Sequence, residues 1–196
     1  MTTHLSERTA ATEEEYAFIA HLTRLLEHAD RSLARAAMAH LRRGLGKPAG
    51  AAYEMDRYIL PKLPQRASPF DEERYYLVAC LFALWHQGKD RAEILDGAWD
   101  TDRNLGRSLR LMVNQESDLG KRENLEKSTG KRLNALLNSH RDDLRHHLRR
   151  IAALLRSREV PVNWRQLLHD LRYWDADDRS VQHAWARGFW IWRKTE

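Results

Sequence analysis

One cysteine, Cys80, stands among the 196 residues. A lone thiol excludes an internal disulfide and a four-cysteine zinc site. Five prolines and nine glycines are also few, and with Ala, Leu and Arg abundant this scarcity favours helix. No segment shows a convincing strand alternation. The longest uninterrupted apolar run, residues 77–85, is far short of the roughly 20 residues that cross a bilayer. The opening residues lack a charged-then-apolar leader. Together these absences predict a cytoplasmic protein of a reducing compartment with no membrane partner. The charged share is 31% and the mean hydropathy is −0.71, which implies a well-hydrated surface. The length fits one domain or two small ones with a real core.

Charge is present in excess of one sign and unevenly placed. The formal balance is +5. Residues 1–102 hold 13 Lys+Arg against 16 Asp+Glu, whereas residues 103–196 hold 20 against 12. Residues 103–158 alone hold 14 against 6. Of the 33 basic residues, 26 are Arg, the cation suited to planar, bidentate contacts with phosphate. A GC-rich genome would account for the preference for Arg over Lys, but not for the asymmetry. A polyanionic partner does.

Helix signals run along the whole chain. Thr12-Glu13-Glu14-Glu15 reads as a capping box ahead of a stripe of Ile19, Leu22, Leu25 and Leu26. Asp30 is placed to cap a second helix through Leu33, Ala37 and Leu41 that Gly44 and Gly46 end. A short segment, residues 51–60, stops before Pro61 and Pro64. Ser68-Pro69-Phe70-Asp71 opens a helix carrying Tyr75, Val78, Leu81, Phe82 and Trp85, which Gly88 closes. This helix is apolar nearly all round and should be the most buried. Residues 87–103 are polar and turn-rich, the expected divide between two helical halves. A helix is expected over about 104–113, then a mobile polar connection at 114–122. Helices near 123–138, 142–157, 163–174 and 178–192 follow, with Asn163 as a cap. Five of the seven Trp lie between Trp164 and Trp192; their helical spacing assigns them to a core. The expected architecture is therefore all-α, about eight or nine helices. It has an acidic to near-neutral half (1–102) and a basic bundle (103–196), packed as one unit.

Catalytic motifs fail. Gly130-Lys131 is followed by Arg132 and preceded at position 125 by Leu, so no P-loop is present. Cys80 sits in an apolar helix, as an inert buried thiol would. His140, His146 and His147 lack a carboxylate at a metal-ligand spacing. His169-Asp170 resembles a metal phosphohydrolase dipeptide, but alone it is weak. Asp142-Asp143 and Asp177-Asp178 suit helix starts. The sequence therefore predicts no enzyme, no cofactor and no metal.

The basic residues fall on faces instead. In the 142–157 helix, Leu144, Leu148, Ile151 and Leu155 form a stripe within about 60° of arc. Arg145, Arg149 and Arg156 lie together about 100–140° to one side, with Arg141 before them and Arg150 on the other flank. A solvated face normally mixes signs; this one does not. Lys131 and Arg132 project from the polar side of the preceding helix, and Arg107 and Arg110 share a face at i and i+3. Arg42 and Arg43 end the second helix, where the dipole alone would favour cations. No base-reading motif accompanies them. Binding should then be backbone-directed and strongly salt-dependent. A free-standing helical DNA- or RNA-binding regulator is the alternative, and would need a helix-turn-helix reaching bases.

Several segments in order resemble the CasB family, the small subunit of the type I-E CRISPR surveillance complex Cascade. They are Leu41-Arg42-Arg43, Leu105-Gly106-Arg107, Gly130-Lys131-Arg132-Leu133-Asn134-Ala135-Leu136-Leu137, Leu148-Arg149-Arg150, Leu154-Leu155 and Val160-Pro161-Val162-Asn163-Trp164. Asp170-Leu171-Arg172-Tyr173-Trp174 and Trp185-Ala186-Arg187-Gly188-Phe189-Trp190 complete the set. The resemblance spans about residues 16–192. It implies a non-catalytic helical subunit, present in two copies beside the guide-RNA-bearing backbone subunits and the large subunit. It also implies a role in holding guide-opened target DNA, particularly the displaced strand of the R-loop. Matching positions nominate Arg42, Arg43, Arg107, Lys131, Arg132, Arg149 and Arg150. Arg110, Arg141 and Arg145 join them from the face argument.

Overall fold

Side-chain caps set most of the helix starts. The structure, a computed structural model, describes residues 2–88 and 103–191. Among these are nine α-helices and two short 3-10 turns, with no strand. The expected divide at 87–103 lies for the most part outside the described residues. The chain separates into two compact units, Met1–Glu93 and Ile94–Glu196.

The first unit holds α1 (Thr2–Leu26), α2 (Arg31–Arg43), α3 (Tyr53–Ile59) and α4 (Pro69–Trp85). Asp30 accepts hydrogen bonds from the backbone N–H groups of Ser32 and Leu33 and so starts α2. Ser68 and Asp71 form a reciprocal capping box at α4. As expected, α4 is the buried centre: Tyr75, Val78, Leu81, Phe82 and Trp85 are all inside, and so is Cys80. Helix α2 packs on α1, α3 and α4.

Two expectations fail in this unit. The helix does not begin at Thr12 but runs unbroken from Thr2, because no breaker separates residues 2–26 and the good helix formers upstream extend it. Glu15 consequently serves no cap. It is fully buried and ion-paired with buried Arg74 at 2.8 Å. Leu33 is 56% exposed. The packed face of α2 centres on Ala34, Ala37, Met38 and Leu41, and Leu33 falls about 90° from that centre.

The second unit holds α5 (Leu105–Asn114), α6 (Leu119–Leu137), α7 (Leu144–Ser157), α8 (Trp164–Arg172) and α9 (Ser180–Trp190). Asn104, Asp118 and Asn163 cap α5, α6 and α8 by accepting from the N–H three residues on. The expected mobile connection at 114–122 is mostly absent. Asp118 starts α6 at once, so Lys121 and Arg122 are helical. Helices α5 and α9 meet backbone to backbone: a Cβ on Gly106 would lie 1.9 Å from the Trp185 carbonyl oxygen. Trp164, Trp174 and Trp185 are buried, as their spacing predicted. Trp190 departs from that expectation at 49% exposed, because the core face of α9 is Val181, Trp185, Gly188 and Phe189. Trp192 lies outside the described residues.

Candidate nucleic-acid interface

Helix α7 carries the clearest basic surface. Leu144, Leu148, Ile151 and Leu155 are buried, which fixes the helix rotation and turns Arg149 and Arg150 to solvent. Arg145 and Arg156 are half-buried beside them. None of its 14 residues is acidic. His147 is shifted toward its neutral form: its burial, then the neighbouring His146 and Arg150, push its proton affinity down against the opposing pull of Asp143. The permanent positive charge of this face is that of its guanidinium groups.

Lys131 and Arg132 are exposed near the C-terminal end of α6, whose buried side is Thr129, Gly130, Leu133, Leu136 and Leu137. Neither they nor Arg149 and Arg150 have an ion-pair partner among the described residues. Arg43, in the first unit, is likewise exposed without one at the end of α2.

The remaining expected site residues are held differently. Arg110 is ion-paired with Glu126 of α6 at 2.8 Å, with both side chains partly buried. Arg141, in the 3-10 turn before α7, grips Asp175 with Nε and Nη2 together. Their charges are thus engaged within the protein. The face argument missed both pairs because the acids lie 16 and 34 residues away. Arg107 lines a cleft of about 390 Å³ with Asn104, Arg187 and Ile191. Arg42 reaches toward the Ala83 carbonyl at 3.5 Å and lines a cavity of about 570 Å³ with Arg31, Arg35, Met38 and His86. Arg42 and Arg43 belong to the first unit and the other eight to the second.

Of the His169-Asp170 dipeptide, Asp170 is built into the core and His169 is half-buried. Asp170 accepts from Gln166 Nε2 at 2.7 Å and from Trp185 Nε1 at 2.5 Å. Both its oxygens are bonded by neighbours and anchor α8 to α9. Among the described residues no three His, Cys, Asp or Glu side chains gather as a metal set.

Residues 37–190 match the pattern of the CRISPR-associated protein Cse2 family. A CRISPR-associated protein Cse2 of Thermus thermophilus is 34% identical over 156 residues, 79% of each chain. The chain belongs to the Cse2 family. Solved Cse2 (CasB) structures have the same fold. A Cse2-family crystal structure, also from Thermus thermophilus, matches with a TM-score of 0.68 at 31% identity, over 89% of this chain and 96% of its own. The CasB of M. ruber matches at 0.66 and 26%, over 90% and 91%. A chain of a CRISPR RNA-guided surveillance complex matches at 0.69 and 26%, over 91% and 92%. The resemblance drawn from the ordered Arg, Trp and Leu segments is thereby confirmed, as is the all-helical class.

Proposed function

We propose that this Cse2 protein is the non-catalytic small subunit of a type I-E CRISPR RNA-guided surveillance complex. In this reading it holds guide-opened target DNA, chiefly the displaced strand, by contacts to the phosphate backbone. The observation that carries the reading is the set of exposed cations, Lys131, Arg132, Arg149 and Arg150, on helical faces where no acid answers them. In the same reading the chain works in the cytoplasm, beside the guide-RNA backbone subunits, the large subunit and a second copy of itself. Its membership of the Cse2 family supports this setting. Among the described residues no helix is long and apolar enough to cross a membrane.

The physical logic is economical. Exchanging a DNA duplex for a guide heteroduplex is nearly balanced in free energy, so a modest electrostatic gain on the released strand tips it. Because the target sequence changes with the guide, contacts blind to sequence are the useful kind.

The test is binding of unrelated single- and double-stranded DNA by the full chain across a salt series. It is followed by R-loop formation in a reconstituted complex carrying Arg150→Glu or Arg132→Glu. Weak, sequence-independent binding that falls steeply with salt, and an R-loop weakened by either reversal, are expected. Strong preference for one duplex sequence would refute the reading in favour of a regulator. Undiminished R-loop stability in both variants would remove the strand-holding role.

A further inference from the structure

We propose that Trp190 is a base-stacking platform for single-stranded nucleic acid, with Arg187 beside it to hold an adjoining phosphate. The inference rests on the strand-binding reading above and adds to it a contact of different chemistry.

Helix α9 buries Val181, Trp185 and Phe189, yet leaves Trp190 half open. The ring is nonetheless held. Its Cη2 and Cζ2 atoms seat against Gly130 on α6, where a Cβ would come within 2.7 Å and 2.9 Å of them. Phe189, itself beside Gly130, meets it edge to face, with centroids 4.7 Å apart. A glycine at position 130 is thus what lets the ring seat so closely. A fixed, half-exposed aromatic surface loses little freedom on stacking, and any base offers it a π-face.

The surroundings select the ligand. Arg187 sits three residues before Trp190 on the same exposed stripe of α9. Lys131 follows Gly130, and Lys127 lies one turn before it. All three cations are exposed and have no ion-pair partner among the described residues. Of the two acids on the Gly130 face, Glu126 is taken by Arg110, and Glu123 lies two turns before Gly130. Arg187 also forms one wall of the cleft of about 390 Å³ with Asn104, Arg107 and Ile191, and none of the residues lining that cleft is acidic. An exposed aromatic ring with cations on both helices it joins, one of them lining a basic cleft, fits a strand whose bases stack and whose phosphates enter the cleft. A protein partner seeking a contiguous apolar patch is matched less well, since among the described residues only Ile191 adjoins the ring in sequence as a second exposed large apolar side chain.

The experiment compares a 12-nucleotide oligothymidylate with an abasic strand of the same length, using the full chain. The wild type should bind the thymidine strand about tenfold more tightly than the abasic one. Trp190→Ala should lose that preference while keeping its salt slope, because no phosphate contact is removed. Trp190→Tyr, which keeps a ring, should retain most of the preference. Arg187→Gln should flatten the slope by about 0.7 and keep the base preference. Thermal unfolding of each variant checks the fold, and the abasic comparison on the wild type needs no variant at all. Equal binding of the two strands by the wild type would overturn the platform while leaving phosphate binding standing. An unchanged strand affinity in Trp190→Ala together with its failure to enter a reconstituted complex would assign the ring to a protein contact instead. Failure of the wild type to bind either strand would sink both this site and the reading beneath it.

Discussion

Neutralising Arg149 and Arg150 separates cations available to a ligand from cations engaged within the fold. Both side chains are exposed on α7 and neither has an ion-pair partner among the described residues. Binding a single strand releases about 0.7 counterion per phosphate neutralised. Each Arg→Gln change should therefore flatten the slope of log K against log salt by about 0.7. At about 0.1 M salt the same factor corresponds to roughly fivefold in affinity, and the double variant should lose roughly 25-fold with a slope change near 1.4. Stability should stay within about 0.5 kcal/mol, since the core stripe of α7 is untouched. Arg110→Gln is the counterpart. Arg110 is already neutralised by Glu126 at 2.8 Å, so its slope should barely move, whereas the fold should lose about 1 kcal/mol. Fluorescence anisotropy of a labelled oligonucleotide over a salt series, with thermal melts alongside, reads both quantities. An unchanged slope in the Arg149/Arg150 double variant would refute the reasoning. So would a slope in Arg110→Gln that flattens as much as in the double variant.

Four further changes test the fold. Gly106→Ala would drive a Cβ to 1.9 Å from the Trp185 carbonyl oxygen; it should cost upward of about 1–3 kcal/mol in denaturant unfolding. Gly120→Ala, which meets only Asp118 Oδ1 at 3.5 Å, should stabilise α6 by about 0.5–1 kcal/mol. Glu15→Ala removes one of the two carboxylates that pair with buried Arg74, leaving Asp71 at 2.9 Å, and should cost about 1–3 kcal/mol, while Glu15→Leu with Arg74→Met should recover most of that loss in the same unfolding assay. Burial holds the proton affinity of His21 below the usual 6.5, with Lys62 and Arg24 adding to the effect and the bond to the Tyr58 carbonyl opposing it. A depressed folded pKa means that the neutral imidazole's stabilisation is present above about 6.5 and is lost as pH falls through the folded value. His21→Gln should accordingly show a shallower loss of melting temperature between about pH 7 and 5.

What could be read from the chain alone was its local chemistry. Asp30, Ser68 with Asp71, and Asn163 cap helices by reaching two or three residues along the chain, so their signature is contained in a few letters. The apolar stripe of α7 was legible for the same reason: the helical period alone fixes it. Asp118 escaped notice because the residues after it, with Gly120 in the first turn and many polar side chains, show no clear apolar period. The pairs Glu15–Arg74, Arg110–Glu126 and Arg141–Asp175 were invisible for a different reason. Each depends on how segments distant in the chain pack, and no short sequence window contains both partners. Trp190 combines the two difficulties. It sits in a run of buried tryptophans, and only the rotation of α9 against Gly130 reveals that its ring stays half outside.

These two kinds of arginine bear on why the basic face exists. A helix gains about 0.2–0.5 kcal/mol from each acid placed one turn from a base, and loses similar amounts from like charges there. Helix α7 sets Arg145 four residues before Arg149, and Arg149 four before the exposed Ala153, forgoing that gain at both steps. The same unit does use ion pairs elsewhere, at Arg110 and Arg141. The composition of the chain therefore does not force Arg149 and Arg150 to go without an acid on α7. Folding energetics give no reason for an acid-free helix face, whereas the proposed polyanion would supply the missing charge from outside. Because such a ligand is met through its phosphates, the face needs no groove-reading geometry and no particular base order. That matches the proposed subunit, whose target sequence would be chosen by an RNA guide rather than by its own side chains.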